Sequence, residues 1–243
     1  MNITNKTVLV TGGGSGIGLA IAKQLSAKNN KVIITGRTAN KLQKASEGLA
    51  NVTTIVADVN NPDDVKKLVA TIIADFGGLD ILINNAGNAY VYNLSADADA
   101  TGKAREEFET NLFSVLNLTE QLLPTLTASP EAAIVTVSSI LALTPRSTLP
   151  TYSASKAALH SYTQALRFEL AKTTGIKVFE LMPPLVNTDF SKEIGGENGI
   201  QPSQVADDLI NSFENDVYEI HVGNTAQIYG LSPIDAFNAI NAG

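Results

Sequence analysis

Tyr152 and Lys156 stand four residues apart in Tyr152-Ser153-Ala154-Ser155-Lys156, with Ser138-Ser139 upstream. On a helix that spacing puts both side chains on one face, so a phenol and an ammonium would enter the same cleft. A free tyrosine has a pKa of about 10 and is a poor base at neutral pH. A cation within about 4 to 6 Å favours the phenolate, so Lys156 is expected to bring Tyr152 down toward a pKa useful for exchanging protons. His160, four residues further on, invites the same role. One more turn carries it roughly 6 Å along the axis, however, into packing or a subunit contact.

A second chemical segment lies near the N-terminus, where Val8-Leu9-Val10 runs into Thr11-Gly12-Gly13-Gly14-Ser15-Gly16-Ile17-Gly18. A strand, a glycine turn and a helix are the context in which a pyrophosphate approaches the backbone and sits over amide N–H groups. Gly12, Ser15, Gly16, Ile17 and Gly18 are therefore expected to hold a dinucleotide. A phosphate loop of the Walker type fails because Leu19 follows Gly18, and a nucleophile elbow fails because Ile17 takes the place of its last glycine.

At the end of the second strand, Thr35-Gly36-Arg37 offers a cation where an NAD site presents an acid to the ribose. Arg37 can pair with a 2′-phosphate and lie against adenine, which favours NADP(H), or it can be an ordinary surface arginine opening a helix. NAD(H) stays possible, because Ser15 stands where the glycine turn could have supplied a second basic contact. Asp58-Val59, after the third strand, could meet adenine, or Asp58 could cap the next turn.

The elements that must position these groups read as a repeating β–α pattern. Apolar runs of strand length fall at about 7–11, 31–36, 52–57, 79–84, 132–138, 176–182 and 217–222, separated by stretches of helical period. Runs so rich in Val, Ile and Leu suit parallel strands buried on both faces. The expected fold is α/β: one Rossmann domain over residues 1–243, with a doubly wound parallel seven-stranded sheet and helices on both faces. Asn61-Pro62-Asp63-Asp64 and Gln201-Pro202-Ser203 read as helix starts. Irregular pieces are expected at about 86–103 and 187–199, and the second, with Gly195, Gly196 and Gly199, is expected to form a substrate loop or lid over about 187–200.

Bulk composition narrows the partners. A formal net charge of -7 argues against nucleic acid and an anionic membrane surface. No cysteine is present, which excludes disulfides, thiolate metal sites and thiol nucleophiles. No metal site is expected. The N-terminus lacks the pattern of a secretory signal and no apolar run reaches the roughly 20 residues of a membrane span, so a soluble cytoplasmic protein is expected.

Taken together, Thr11-Gly12-x-x-x-Gly16-x-Gly18, Asn84-Asn85-Ala86-Gly87, Asn111, Ser139 and Tyr152-x-x-x-Lys156 resemble the short-chain dehydrogenase/reductase family over nearly the whole chain. Within it, Thr151 to Tyr162 and Glu180 to Thr188 resemble the oxidoreductases named for a link to D-alanylation of teichoic acids, a naming association that implies no substrate. The resemblance implies a metal-independent exchange of hydride between nicotinamide and a small carbonyl or alcohol substrate. Tyr152 would be the general acid/base, Ser139 would hold the substrate oxygen, and Lys156 would also bind the nicotinamide ribose. Asn111 would position a water joining Lys156 to solvent. Asn85, Ala86 and Gly87 would flank the cofactor, and Val186 and Thr188 would contact the carboxamide. A homodimer or homotetramer is implied. The family's usual Pro-Gly is Pro183-Pro184 here, which removes a flexible point and an N–H group.

Two rival readings remain on the residues alone: a dinucleotide-binding sensor or scaffold without turnover, and a methyltransferase of similar strand order. The complete Ser139, Tyr152 and Lys156 set opposes both, and Arg37 opposes the second. Leu141, Leu143, Leu185 and Phe190 suggest an apolar substrate lining, and Arg146 could meet an anionic substrate.

Overall fold

The computed structural model describes residues 1–242. Seven parallel strands form one sheet: β1 (Thr7–Thr11), β2 (Lys31–Gly36), β3 (Val52–Val56), β4 (Ile81–Asn84), β5 (Ala133–Val137), β6 (Lys177–Met182) and β7 (Glu219–His221), in the order β3-β2-β1-β4-β5-β6-β7. The order reverses at β1, whose neighbours are β2 and β4. Ligands of doubly wound sheets bind in the crevice outside the strand ends at such a point.

Period-two alternation divides each central strand between two helical layers. Val8 and Val10 pack with Ile21 and Leu25 of α1 (Gly16–Ala27) and with Leu209 and Phe213 of α7 (Pro202–Asn215). Leu9 turns to the other side, against Val65, Leu68 and Ile72 of α3 (Pro62–Phe76) and Leu118 and Leu122 of α5 (Ser114–Ala128). Each such side chain, fully buried, contributes about 1.5 to 3 kcal/mol. Asn61 caps α3 by accepting the N–H groups of Asp63 and Asp64, with Pro62 in the first turn.

Two expectations need correction. β3 is not buried on both faces: Thr53, Thr54 and Val56 are exposed. It is the sheet's edge, flanked only by β2, and the short α2 (Ala39–Ser46) cannot cover it. Nor is 187–199 irregular. It folds as two 3-10 turns, Asp189–Ile194 and Gly196–Asn198, and is pinned at its base where Asn187 N–H donates to Ile200 O (2.8 Å) and Ile200 N–H to Leu185 O (3.0 Å). The segment from 85 to 99 has no regular helix or strand and leads into α4 (Ala100–Phe108), which joins α5 through a π-helical turn, Glu109–Phe113.

The long α6 (Pro150–Thr173) carries Tyr152 and Lys156 in its first turns. After β7 come α8 (Thr225–Tyr229) and α9 (Pro233–Asn241), which pack Ile228, Ala236 and Ile240 against Ile140, Leu141 and Leu149. Among the described residues, no helix is long and apolar enough to cross a membrane.

Candidate active site

A cleft of about 1040 Å³ opens at the carboxyl ends of the central strands. Gly12, Ser15, Gly16, Ile17, Arg37, Asp58, Val59, Asn85, Ala86, Gly87, Ser139, Tyr152, Lys156, Val186 and Thr188 all line it. Two of the expected residues do not. Gly18 is buried behind the wall, and Asn111 is wholly buried in the π-helical turn.

At the glycine end, β1 and β4 are locked together by one hydroxyl. Thr11 Oγ1 accepts the N–H groups of Asn85 (2.9 Å) and Ala86 (3.0 Å), while Asn85 Nδ2 donates back to Thr11 O at 2.9 Å. Gly12 has φ +64° and Gly16 φ +54°, the left-handed region that side chains resist. At Gly18 the constraint is space: a Cβ there would lie 2.5 Å from Asn85 Nδ2 and 2.6 Å from Gly12 O. Its hydrogen lets α1 close on the turn. Ser15 caps α1 by position, but its side chain makes no capping bond, so the first-turn amides are left for an anion. That uncapped helix start, the positive-φ glycines and the volume of the cleft fit a dinucleotide.

Arg37 is exposed at the rim, and among the described residues no carboxylate lies within 4.0 Å of it. Asp58 lines the cleft but also accepts Asn60 N–H at 3.0 Å, so it does cap the turn that follows β3.

At the tyrosine end, Ser139 Oγ accepts Leu141 N–H at 3.0 Å, and Ile140 N–H donates to Pro183 O at 2.9 Å. The Pro183-Pro184 pair thus still offers its carbonyl to the serine turn. Lys156 Nζ donates to Val137 O at 2.8 Å and lies 5.7 Å from the centre of the Tyr152 ring. The electrostatics differ from expectation. Burial pushes the Tyr152 phenol up to about 12, the Glu107 carboxylate pushes the same way, and only the Ser139 hydroxyl favours the anion. Burial also pulls Lys156 down to about 8, against the attraction of Glu180. Desolvation therefore governs the phenol, the expected lowering by Lys156 is not among the effects on it, and Tyr152 holds its proton at neutral pH.

Behind these groups stand two buried carboxylates absent from the expected site. Glu180 accepts Ser138 Oγ at 2.5 Å and His160 Nδ1 at 2.8 Å, so His160 pairs with an acid rather than simply packing. Glu107 accepts Tyr90 N–H through Oε1 at 2.8 Å, and its Oε2 is buried without a partner. Asn111 spends its amide within the protein: Oδ1 accepts Asn88 N–H (2.8 Å), and Nδ2 donates to Asn88 O (2.8 Å) and Ser155 Oγ (2.9 Å). An acid inside the otherwise apolar run Val178-Phe179-Glu180-Leu181-Met182 was the available signal for Glu180. Nothing local marked Glu107.

Known proteins agree with this architecture. The model of the family described as short chain dehydrogenase matches residues 6–199. The uncharacterized oxidoreductase DltE of Bacillus subtilis (strain 168) is 36% identical over 200 residues, covering 82% of this chain and 79% of the relative. The uncharacterized oxidoreductase SA2266 of Staphylococcus aureus (strain N315) is 36% identical over 192 residues, 76% of this chain and 80% of its own. Among solved structures, a short chain dehydrogenase from Burkholderia cenocepacia J2315 in complex with NADP superposes with TM-score 0.83 at 27% identity, covering 93% of this chain and 92% of that one. A 3-ketoacyl-(acyl-carrier-protein) reductase from Brucella melitensis complexed with NADH gives TM-score 0.81 at 26% identity, over 87% and 91% of the two chains. By sequence and by fold, the chain belongs to the short chain dehydrogenase family.

Proposed function

We propose that the protein is an NADP-dependent oxidoreductase that interconverts a small carbonyl compound and its alcohol without a metal. The observation that carries this reading is the meeting of Ser139, Tyr152 and Lys156 on one wall of a cleft whose other end is a glycine turn beside Arg37, which has no partner among the described residues. Gly12, Ser15, Gly16, Ile17, Asn85, Ala86, Gly87, Val186 and Thr188 frame the dinucleotide, with Gly18 setting the turn's depth and Asp58 and Val59 at the adenine. Arg37 receives the 2′-phosphate.

A bound nicotinamide supplies the hydride to the carbonyl carbon, or takes it from the carbinol. The chain's own groups handle the oxygen. Ser139 Oγ donates to it, and Tyr152 gives it a proton as the C–O bond becomes single. The neutral phenol that burial enforces is the form needed for that donation. Lys156 stabilises the phenolate left behind, and the proton returns from solvent. Asn111 ties Asn88 to Ser155 of α6, the residue next to Lys156, and so positions Lys156.

The setting proposed is the cytoplasm, with which a cysteine-free chain is compatible. A homodimer or homotetramer goes with the reading. Its support is Phe113 and Phe168, 50% and 70% exposed, which are apolar surface that association would cover. The segment 187–200 is read as a substrate loop, since Thr188, Phe190 and Ile194 line the cleft. The test is to follow NADPH absorbance with a panel of aldehydes, ketones and diketones. Consumption that persists undiminished in Tyr152→Phe removes the proton donor from the mechanism.

A further inference from the structure

The chain has four arginines, Arg37, Arg105, Arg146 and Arg167. Among the described residues only Arg167 is paired: it donates to Glu219 at 2.9 Å and to the carbonyls of Val178 and Tyr218. The other three line the one cleft, and among the described residues none has a carboxylate within 4.0 Å or a side-chain hydrogen bond. Arg37 and Arg105 are exposed and keep their water, whereas Arg146 is partly buried. The same cleft is lined by Leu141, Leu149, Phe190, Ile194 and Ile240. A partly buried arginine whose guanidinium has no protein partner costs free energy that a ligand could offset.

Its setting is also fixed. Arg146 N–H donates to Ser153 Oγ at 3.2 Å, one residue from Tyr152, and its carbonyl accepts Leu149 N–H at 3.0 Å. On either side, Asn241 of α9 holds Pro145 O (3.0 Å) and Ser147 N–H (2.8 Å). The carboxylates of the cleft do not answer for the charge. Asp189 pairs with Lys192, Glu106 accepts the Tyr90 hydroxyl, Asp58 accepts Asn60 N–H, and Glu109 and Glu193 are exposed.

We infer that Arg146 is the specificity residue of the substrate half of the cleft. It receives an anionic oxyacid group, carboxylate or phosphate, on a substrate whose reacting carbonyl or carbinol is separated from that group by an apolar spacer. The inference rests on the reading of Tyr152 as the reacting end. The fork of a guanidinium matches either oxyacid through two parallel bonds, and the apolar wall accepts the spacer.

The experiment uses the NADPH-loaded protein and two ketones, 4-acetylbenzoate and its methyl ester, with 4-acetylphenyl phosphate to separate phosphate from carboxylate. Binding is followed by cofactor fluorescence, and turnover by cofactor absorbance. Preference for an anion over the ester by roughly 10- to 100-fold is expected, to be erased in Arg146→Met and partly kept in Arg146→Lys. NADPH affinity in each variant reports that the fold is intact. Equal affinity for acid, phosphate and ester, no saturable binding of any of them, or a preference that survives in Arg146→Met overturns the proposal. Tyr152→Phe separates the two claims. If turnover survives that change while the Arg146 preference stands, the proton-donor reading has failed and the anion subsite has not.

Discussion

At the glycine end of the cleft the walls are largely main chain: the turn from Gly12 to Ile17, the strand ends at Thr11 and Asn85, and the first amides of α1. At the tyrosine end they are side chains gathered from separated segments, among them Leu141, Leu149, Phe190, Ile194 and Ile240, with α9 closing the outside. The first end is fixed by backbone conformation and close approach, the second by packing. A main-chain wall suits a ligand part that never varies. A side-chain wall can be rebuilt residue by residue for a different substrate while the strands stay put. Tyr152 and Lys156 sit at the seam, in the first turns of α6.

The comparison breaks most sharply if the seam is removed. Under the proposed mechanism Tyr152→Phe is expected to cut kcat for carbonyl reduction by about 10²- to 10⁴-fold while NADPH affinity changes little, since the hydroxyl is assigned to the substrate oxygen and the ring is kept. In the wild-type protein, reduction should weaken as pH rises through about 8, where Lys156 loses its charge, and alcohol oxidation should instead gain as the Tyr152 phenol nears ionisation. A pH–rate profile in both directions checks this. Parallel profiles would mean that the phenol is not the proton donor.

Arg37→Ala tests the glycine end alone. NADPH binding should weaken by roughly 10- to 100-fold and NADH binding hardly at all, the scale of a lost charge-assisted bond. Titration of the two cofactors against wild type and variant measures the ratio, and equal losses would return Arg37 to the solvated surface.

Three glycines in one turn sharpen the contrast through stability. A Cβ at Gly14 would meet nothing closer than Leu42 Cδ2 at 3.4 Å, whereas at Gly18 it would strike Asn85 Nδ2 at 2.5 Å and a backbone oxygen at 2.6 Å. Gly12 combines φ +64° with a contact of 3.0 Å. Gly18→Ala should therefore cost about 1 to 3 kcal/mol, Gly12→Ala a similar amount, and Gly14→Ala much less. Thermal melting at fixed pH ranks them, and equal losses would show that the turn yields more than its geometry allows.

Much of this was legible in the chain. The seven strands and the glycine turn follow from short-range pattern, and Tyr152 and Lys156 from helical spacing. What escaped depends on distant segments. β3 looked like the other strands because its sequence cannot tell that nothing pairs beyond it. Thr188 and Ser191 cap the 3-10 turn Asp189–Ile194 mutually, which the glycine content of 187–199 hides. The fall of the Lys156 pKa and the rise of Tyr152 come from burial, which no spacing records. Glu180 and His160 are 20 residues apart, and Glu107 and Tyr90 are 17 apart, so neither contact belongs to one helix or strand.

The smallest expected effect concerns that Glu180–His160 pair, which lies behind the seam. Glu180 is fully buried, and its hydrogen bond raises the His160 pKa above the ordinary 6.5, against the opposing pull of burial. A group with a raised folded-state pKa contributes its stabilisation fully below the unfolded value and loses it as pH climbs through the folded one. Melting temperature should thus decline from about pH 6 toward pH 8, by an amount equivalent to about 1 kcal/mol or less for a pair that is partly solvated. His160→Gln keeps a donor for the carboxylate but removes the titration, so its curve should be flatter over the same range. A wild-type curve that is already flat, or a variant that keeps the slope, would mean that Glu180 draws its compensation from Ser138 and Lys156 alone. The carboxylate would then act on the tyrosine end of the cleft through Lys156 and not through His160.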